Sequence, residues 1–312
     1  MKKISTILFT TMVLFCCNEK KSQSQEIPIL PETYLQVLGV AQDAGFPQIS
    51  CQKACCKDLW EDTSLRKMVS SIGVVDQRSN QCFLFDATPD IKDQLNILQN
   101  SQFDLAGVFL THAHMGHYTG LIHLGREAMG ANKVPVFAMP NMQSMLEKNA
   151  PWSQLVKLEN IIIQPLRNDS LTIMGNIKVT PLLVPHRDEF SETVGFKIFG
   201  KNKTALFIPD IDKWSKWKRS IVEEIKAVDY AFLDGTFYDS KEINNRDISE
   251  IPHPFIIESL ELFKDLKESD RNKIYYIHLN HTNPLLNFES EEYQNVVSKG
   301  YNVAAEGLEL EL

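Results

Sequence analysis

The sequence predicts an α+β domain in which two β-sheets pack together with helices on the outside. Three observations predict it. Short β-type runs alternate with helical patterns along the chain. The early part reads as strands, the middle mixes strands and helices, and the later part returns to strands before further helices. Polar residues able to do chemistry stand at the ends of several of these strands.

The elements follow in order. Residues 34–40, 70–75 and 82–86 read as strands. Thr88-Pro89 opens a helix over 89–98, because proline at the first helical position gives up no hydrogen bond. Residues 107–111 form a buried strand, followed by helical spacing over 117–129. A strand over 134–138 and a helix over 141–148 come next, then strands over 161–163, 171–174, 177–184, 194–199 and 204–208. A helix carrying Trp214 and Trp217 leads to a strand over 230–233, a helix over 255–266 and a last strand over 273–279. Polar stretches at 141–151 and 239–250 are candidate loops over a site. No repeat or long linker interrupts residues 30–312, so a single domain is expected there.

The chain has 312 residues, 43% hydrophobic and 23% charged, which is the mix of a folded domain and excludes a low-complexity chain. Its 32 basic and 40 acidic residues give a net charge of −8. A net-acidic surface without a basic stripe repels phosphate backbones, so nucleic acid is not an expected partner and a small-molecule substrate is.

Residues 1–17 read as a signal peptide: Met1-Lys2-Lys3, an apolar run over 4–15, then Cys16-Cys17. The run is too short to span a bilayer as a mature helix. The segment Leu14-Phe15-Cys16-Cys17 resembles a bacterial lipobox, with Cys17 or Cys16 as the lipidated residue. Residues 18–30 are polar and read as a flexible tether. The expectation is an exported protein, periplasmic or held in the cell envelope as a lipoprotein, touching membrane only through its lipid. Oligomeric state is not legible.

The strongest chemical signal is Leu110-Thr111-His112-Ala113-His114-Met115-Gly116-His117, directly after a hydrophobic strand. In an extended segment residues i and i+2 share a face, so His112 and His114 aim at one point. His117, at the next helix start, swings back toward it. Neutral imidazole is a good zinc ligand. The chain has eight histidines, and His186, His253, His278 and His281 stand at or near further strand ends or just before a helix. Asp210 ends another strand; its alternative role is capping the next helix, for which Asp212 lies closer. Cys51, Cys55 and Cys56 crowd into six residues and suit a metal, while Cys82 sits in an apolar run and reads as core. A disulfide from Cys51 to a neighbour, or free thiols, are the alternatives.

This order of residues resembles the metallo-β-lactamase superfamily, whose hallmark is His-x-His-x-Asp-His after a strand, then a later His, Asp and His. The matching positions are His112, His114, His117, His186, Asp210 and His278. The segments 41–48, 209–214 and 280–284 are similar to those of the coenzyme PQQ biosynthesis protein B group and its phosphodiesterase relatives. The resemblance implies a four-layer αββα sandwich with the site at one edge of the sheets. It implies a general-acid role for His253, the alternative being a structural loop histidine between two prolines. It also implies a structural Cys₃His zinc held by Cys51, Cys55, Cys56 and His281. Where the hallmark has Asp, this chain has Gly116. On that pattern His112, His114 and His186 form a complete first metal position, while the second keeps His117 and His278 with Asp210 able to bridge.

The reading is a metal-dependent hydrolase. One or two zinc ions would lower the pKa of a bound water, Asp210 would orient the nucleophile, and the substrate would be a phosphodiester or a small ester or lactam. Iron or manganese are alternatives to zinc in the active site. Two other readings stand beside it. One is metal-dependent oxidation in coenzyme PQQ biosynthesis, although that group loses some first-position histidines which this chain retains. The other is a non-catalytic binding protein on the same fold, which Gly116 favours.

Overall fold

The structure, a computed structural model, describes residues 31–99, 102–244 and 246–312. The expected signal peptide and tether lie outside the described residues. The first sheet contains β1 (Thr33–Gly39), β2 (Ser71–Asp76), β3 (Gln81–Phe85), β4 (Asp104–Phe109), β5 (Val134–Ala138) and β6 (Ile161–Pro165). The second contains β7 (Thr172–Met174), β8 (Ile177–Leu183), β9 (Val194–Phe199), β10 (Thr204–Ile208), β11 (Tyr230–Asp234), β12 (Ile274–Ile277) and β13 (Asn302–Val303). A terminal strand, β14 (Glu309–Glu311), returns to pair with β1, so among the described residues each sheet has seven strands. In each sheet one part is antiparallel and the other parallel: β3 to β6 run parallel, as do β10 to β13.

Alternation along the strands builds the layers. Phe83 and Phe85 of β3, Phe109 of β4 and Phe137 of β5 face inward with Phe196, Phe207 and Phe232 of the second sheet. Their rings stack across strands, Phe85 on Phe109 at 4.8 Å and Phe109 on Phe137 at 4.3 Å. Burying each contributes roughly 1.5–3 kcal/mol. The opposite faces take helices. Cys82, Leu84, Val108 and Val136 pack under α2 (Ile91–Gln99), α4 (Pro140–Lys148) and α5 (Trp152–Lys157). Leu206, Leu233 and Tyr276 pack under α6 (Ile221–Lys226), α7 (Ile256–Leu262) and α9 (Glu291–Ser298). The order is helix, sheet, sheet, helix, as the resemblance implied, and Cys82 is a buried core residue. The remaining helices, α1 (Ala54–Lys57), α3 (Met115–Tyr118) and α8 (Glu268–Arg271), are single turns. Among the described residues no helix is long and apolar enough to cross a membrane.

Several elements differ from expectation. Residues 117–129 are not one helix: α3 passes into a 3-10 segment over Thr119–Leu124, because Gly120 and Gly125 withdraw helix propensity. The stretch 141–151 is mostly helix, opened by Pro140 at its first position. The helix expected near Trp214 and Trp217 is one 3-10 turn, and Ser220 caps the following α6. Asp212 therefore caps neither and pairs with Lys216 at 2.7 Å. The helix over 255–266 is shorter, and α9, β13 and β14 follow what was expected to be the last strand.

The parallel halves decide where a site forms. β3, β4, β10, β11 and β12 end at one edge, where His112 and His114 follow β4, Asp210 follows β10 and His278 follows β12. Crevices beyond the carboxyl ends of parallel strands are where such folds bind ligands.

Candidate metal centre

β4 ends at Phe109, and the chain leaves it through Thr111 and His112. Asp86, just past β3, is fully buried and accepts from the Thr111 backbone N–H at 2.8 Å and from its hydroxyl at 2.9 Å. The Thr111 hydroxyl has one proton, already given to Asp86, so it accepts from His112 Nδ1 at 2.9 Å. His112 Nε2 is thereby left with a lone pair facing the centre, 3.4 Å from Asp210 Oδ2. His114 is held the other way round. Its Nε2 donates to Glu189 Oε2 at 3.0 Å, so Nδ1 faces inward, 2.8 Å from His112 Nε2. His186, three residues past β8, places Nε2 3.3 Å from Asp210 Oδ1. The ligand atoms of His112, His114, His186 and Asp210 all lie within 4.8 Å of one another.

A second group lies alongside. His117 Nδ1 donates to Asp86 Oδ2 at 2.7 Å, which turns Nε2 inward. His278, just past β12, donates Nδ1–H to the Thr236 hydroxyl at 2.9 Å, and that hydroxyl donates to Asp234 Oδ1 at 2.7 Å. Asp86 with Thr111 on one sheet and Asp234 with Thr236 on the other are thus parallel devices that set imidazole orientation. Asp86 and His278 adopt left-handed backbone angles, with φ of 69° and 63°, a conformation that non-glycine residues hold mainly where surrounding structure imposes it. The third member is Asp43, from the loop after β1. Its Oδ1 is 3.2 Å from His117 Nε2 and 3.7 Å from His278 Nε2. Asp210 Oδ2 lies 3.9 Å and 4.0 Å from the same two nitrogens, between the two groups.

Chemistry tests whether a cation fits. Asp43 Oδ1, His117 Nε2, His186 Nδ1 and Nε2, Asp210 Oδ1 and His278 Nε2 are buried and have no hydrogen-bond partner. Leaving one such group unsatisfied costs about 1–3 kcal/mol, and here all but His186 Nδ1 face shared points from several elements. Imidazole lone pairs with carboxylates are the donor set of a divalent transition metal.

The charges agree. Burial holds the His112 imidazole neutral by pushing its pKa well below the ordinary value, and the neighbouring His117 adds to this. Burial also disfavours charge on His117, but Asp86 and Asp43 outweigh it and hold its pKa well above normal. Asp210 is buried and Asp43 half-buried, yet both are held ionised, because the surrounding histidines outweigh desolvation.

His253, in the loop before α7, is buried, with Nδ1 3.0 Å from Asp234 Oδ2 and 3.2 Å from Asp210 Oδ1. Burial lowers its pKa, but Asp234 and Asp210 reverse this and push it up to about 10. It adjoins both the positioning carboxylate and the bridging one.

The cysteine cluster assembles as expected. Cys51, Cys55, Cys56 and His281 place their ligand atoms within 4.8 Å, and the cysteines are free thiols. His281 Nδ1 donates to Asn280 Oδ1 at 3.0 Å, which leaves Nε2 for a ligand. Burial raises the Cys56 thiol to about 12, so only a cation beside it would favour its thiolate.

All the residues expected at the site are brought together. The sequence reading missed Asp43, Asp86, Thr111, Asp234, Thr236 and Glu189. Asp86 and Thr111 ended expected strands, and Asp43 lay in a segment quoted for its family likeness.

Residues 81–279 match the family model described as a beta-lactamase superfamily domain. The chain belongs to the beta-lactamase superfamily. The matched stretch contains the histidines around Asp210 but neither Asp43 nor Cys51, Cys55 and Cys56. The chain is similar to coenzyme PQQ synthesis protein B of Pseudomonas putida strain W619, at 26% identity over 89% of this chain and 100% of that one. Among solved structures it resembles Zn(2+)-bound PqqB from Methylobacterium extorquens, with TM-score 0.74, 22% identity, and coverage of 89% and 100%. It also resembles a diphosphatase of the PhnP family, with TM-score 0.66, 22% identity, and coverage of 90% and 97%. The two mixed sheets are those of the α+β metallo-β-lactamase sandwich.

Proposed function

We propose that the chain is a metal-dependent hydrolase acting on a phosphodiester or a small ester or lactam. The observation that supports this most is the convergence of buried, unpartnered imidazole and carboxylate atoms beyond the strand ends. A bound divalent ion, zinc by the donor set, supplies Lewis acidity and a water of lowered pKa. The chain's own residues do the rest. His112 and His114 present lone pairs oriented by Thr111 and Glu189, and His186 adds a third imidazole. Asp210 touches both groups and accepts the proton side of an attacking water. His253 holds a proton beside Asp210 and Asp234 and delivers it to the leaving oxygen or nitrogen. A groove of about 560 Å³ runs from Asp43 past Phe46, Trp60 and Met115 and offers room for a small substrate. Cavities near Trp214 and near Tyr238 include none of the ligand residues in their linings. Cys51, Cys55, Cys56 and His281 would hold a structural zinc that ties the loop before β2 to the segment after β12.

The test is a panel of chromogenic phosphodiesters, esters and lactams offered to zinc-loaded protein. Turnover of one class, lost on chelation and in His112→Ala, supports the reading; no turnover of any class by loaded protein contradicts it. Metal-dependent oxidation in coenzyme PQQ biosynthesis is the second reading, supported by similarity over the full length of the PQQ synthesis relatives. Iron as the bound metal, with consumption of dioxygen, would favour it. The proposed location is the cell envelope, through a lipid on Cys17 or Cys16, and rests on residues 1–17 alone.

A further inference from the structure

Gly116 and Asp43 are far apart in sequence and touch in space. A Cβ built on Gly116 would lie 2.3 Å from Asp43 Oδ1, 2.5 Å from Asp43 Cα and 3.0 Å from Asp43 Cβ. No side chain fits there, because the obstacle includes backbone and not only a movable carboxylate. Glycine at 116 therefore admits the loop after β1 to the strand-end edge. What the loop brings is one carboxylate. Asp43 Oδ1 is buried, has no hydrogen-bond donor, and faces His117 Nε2 and His278 Nε2, both fully buried and equally unpartnered. Three such atoms aimed at one point, with Asp210 Oδ2 beside them, form a ligand set.

We propose that Asp43 is the carboxylate ligand of a second divalent ion, held with His117, His278 and Asp210, and that Gly116 is glycine to make room for it. The carboxylate that the superfamily hallmark carries at position 116 is thus supplied from a different loop. The second position has a full complement of protein donors, two imidazoles and two carboxylates. The loop carrying Asp43 also lines the groove through Phe46 and Pro47, so filling this position orders one wall of it. The inference rests on the reading of the strand-end edge as a metal centre.

The experiment uses the purified full chain loaded with zinc, dialysed against a weak chelator and counted by plasma mass spectrometry. Competition titration with a chromophoric chelator gives the affinity of each ion. The variants are Asp43→Asn, Asp43→Ala, Gly116→Ala and His117→Ala, with His112→Ala as the control for the first position. Circular dichroism and the melting temperature of metal-free protein report folding. The expected result is that Asp43→Asn, which keeps shape and loses charge, weakens the same ion as His117→Ala by at least about tenfold. Gly116→Ala, which removes no donor, weakens that ion too by displacing Asp43. If Asp43→Asn and Asp43→Ala keep the ion that His117→Ala loses, the proposal is overturned while the metal centre stands. If neither His117→Ala nor His112→Ala changes the metal count, the metal-centre reading itself fails. Should Gly116→Ala not fold, the isosteric Asp43→Asn decides alone.

Discussion

Replacing Asp86 with Asn perturbs the site through an imidazole and not through a ligand atom. The wild-type carboxylate accepts three hydrogen bonds, two from Thr111 and one from His117 Nδ1 at 2.7 Å. In Asp86→Asn one oxygen still accepts from the Thr111 backbone, but an amide donor now faces His117 Nδ1. His117 must move its proton to Nε2 to accept from that amide, and a protonated Nε2 cannot bind a metal. Hydrogen bonds to a charged group contribute about 1.5–3 kcal/mol each. The metal-free variant is therefore expected to lose about 2–4 kcal/mol, on the order of 3–7 °C in melting temperature for a domain of this size. Loss of an orienting carboxylate costs roughly 10–100-fold in metal affinity, and here it falls on the ion at His117. Chelator competition measures the affinity, and thermal unfolding of metal-free protein measures the stability. Asp86→Asn with wild-type affinity at the His117 position would refute the claim that Asp86 selects the tautomer.

Further outcomes follow from the same geometry. His253→Gln keeps a polar side chain but removes the proton carrier, so turnover of a poor leaving group should fall about 10²–10⁴-fold with metal content unchanged; equal rates would remove His253 from the mechanism. Cys51→Ser should cost one zinc per chain and lower the melting temperature while sparing the ions at His112 and His117, which metal counting and thermal unfolding check together. Burial raises Glu242 to about 7 from an ordinary 4.5, despite hydrogen bonds from the Tyr238 N–H and the Thr282 hydroxyl. The folded chain then holds this proton more tightly than the unfolded one, a contribution fully present below pH 4.5 and lost as pH rises through about 7. It amounts to no more than about 3 kcal/mol, and Glu242→Gln should flatten denaturant-measured stability across that window. Labelled palmitate should enter the chain in a bacterial host and be lost on replacing Cys16 and Cys17 by Ser; unchanged labelling would refute the lipid anchor.

Much of the site was legible because each ligand stands where a strand stops. His112 and His114 alternate on one extended segment, and His186, Asp210 and His278 each follow a hydrophobic run, so sequence position alone placed them at strand ends. Cys51, Cys55 and Cys56 announced themselves by crowding. Asp43 could not be read this way. It is one carboxylate in a loop with no spacing to any partner, and its meaning depends on a contact with Gly116 that only the folded chain makes. Asp86, Thr111, Asp234 and Thr236 were equally hidden, since a positioning residue is defined by the proton it accepts or gives. In the fold, the runs dense in Val, Ile and Phe declared their strands. β13 and β14 did not: they are two and three residues long, half or more polar, and exist because a neighbouring strand offers an edge. The expected helix at 117–129 failed because periodicity was read through Gly120 and Gly125.

The most direct measurement is the number of metal ions per chain in the purified, zinc-loaded protein, with and without the strand-end histidines. Three are expected: one at His112, His114 and His186, one at His117 and His278, and one at the cysteines. His112→Ala with His114→Ala should remove the first, and His117→Ala the second. A single zinc that survives both sets of changes would contradict the account, because the convergent imidazoles would then bind nothing.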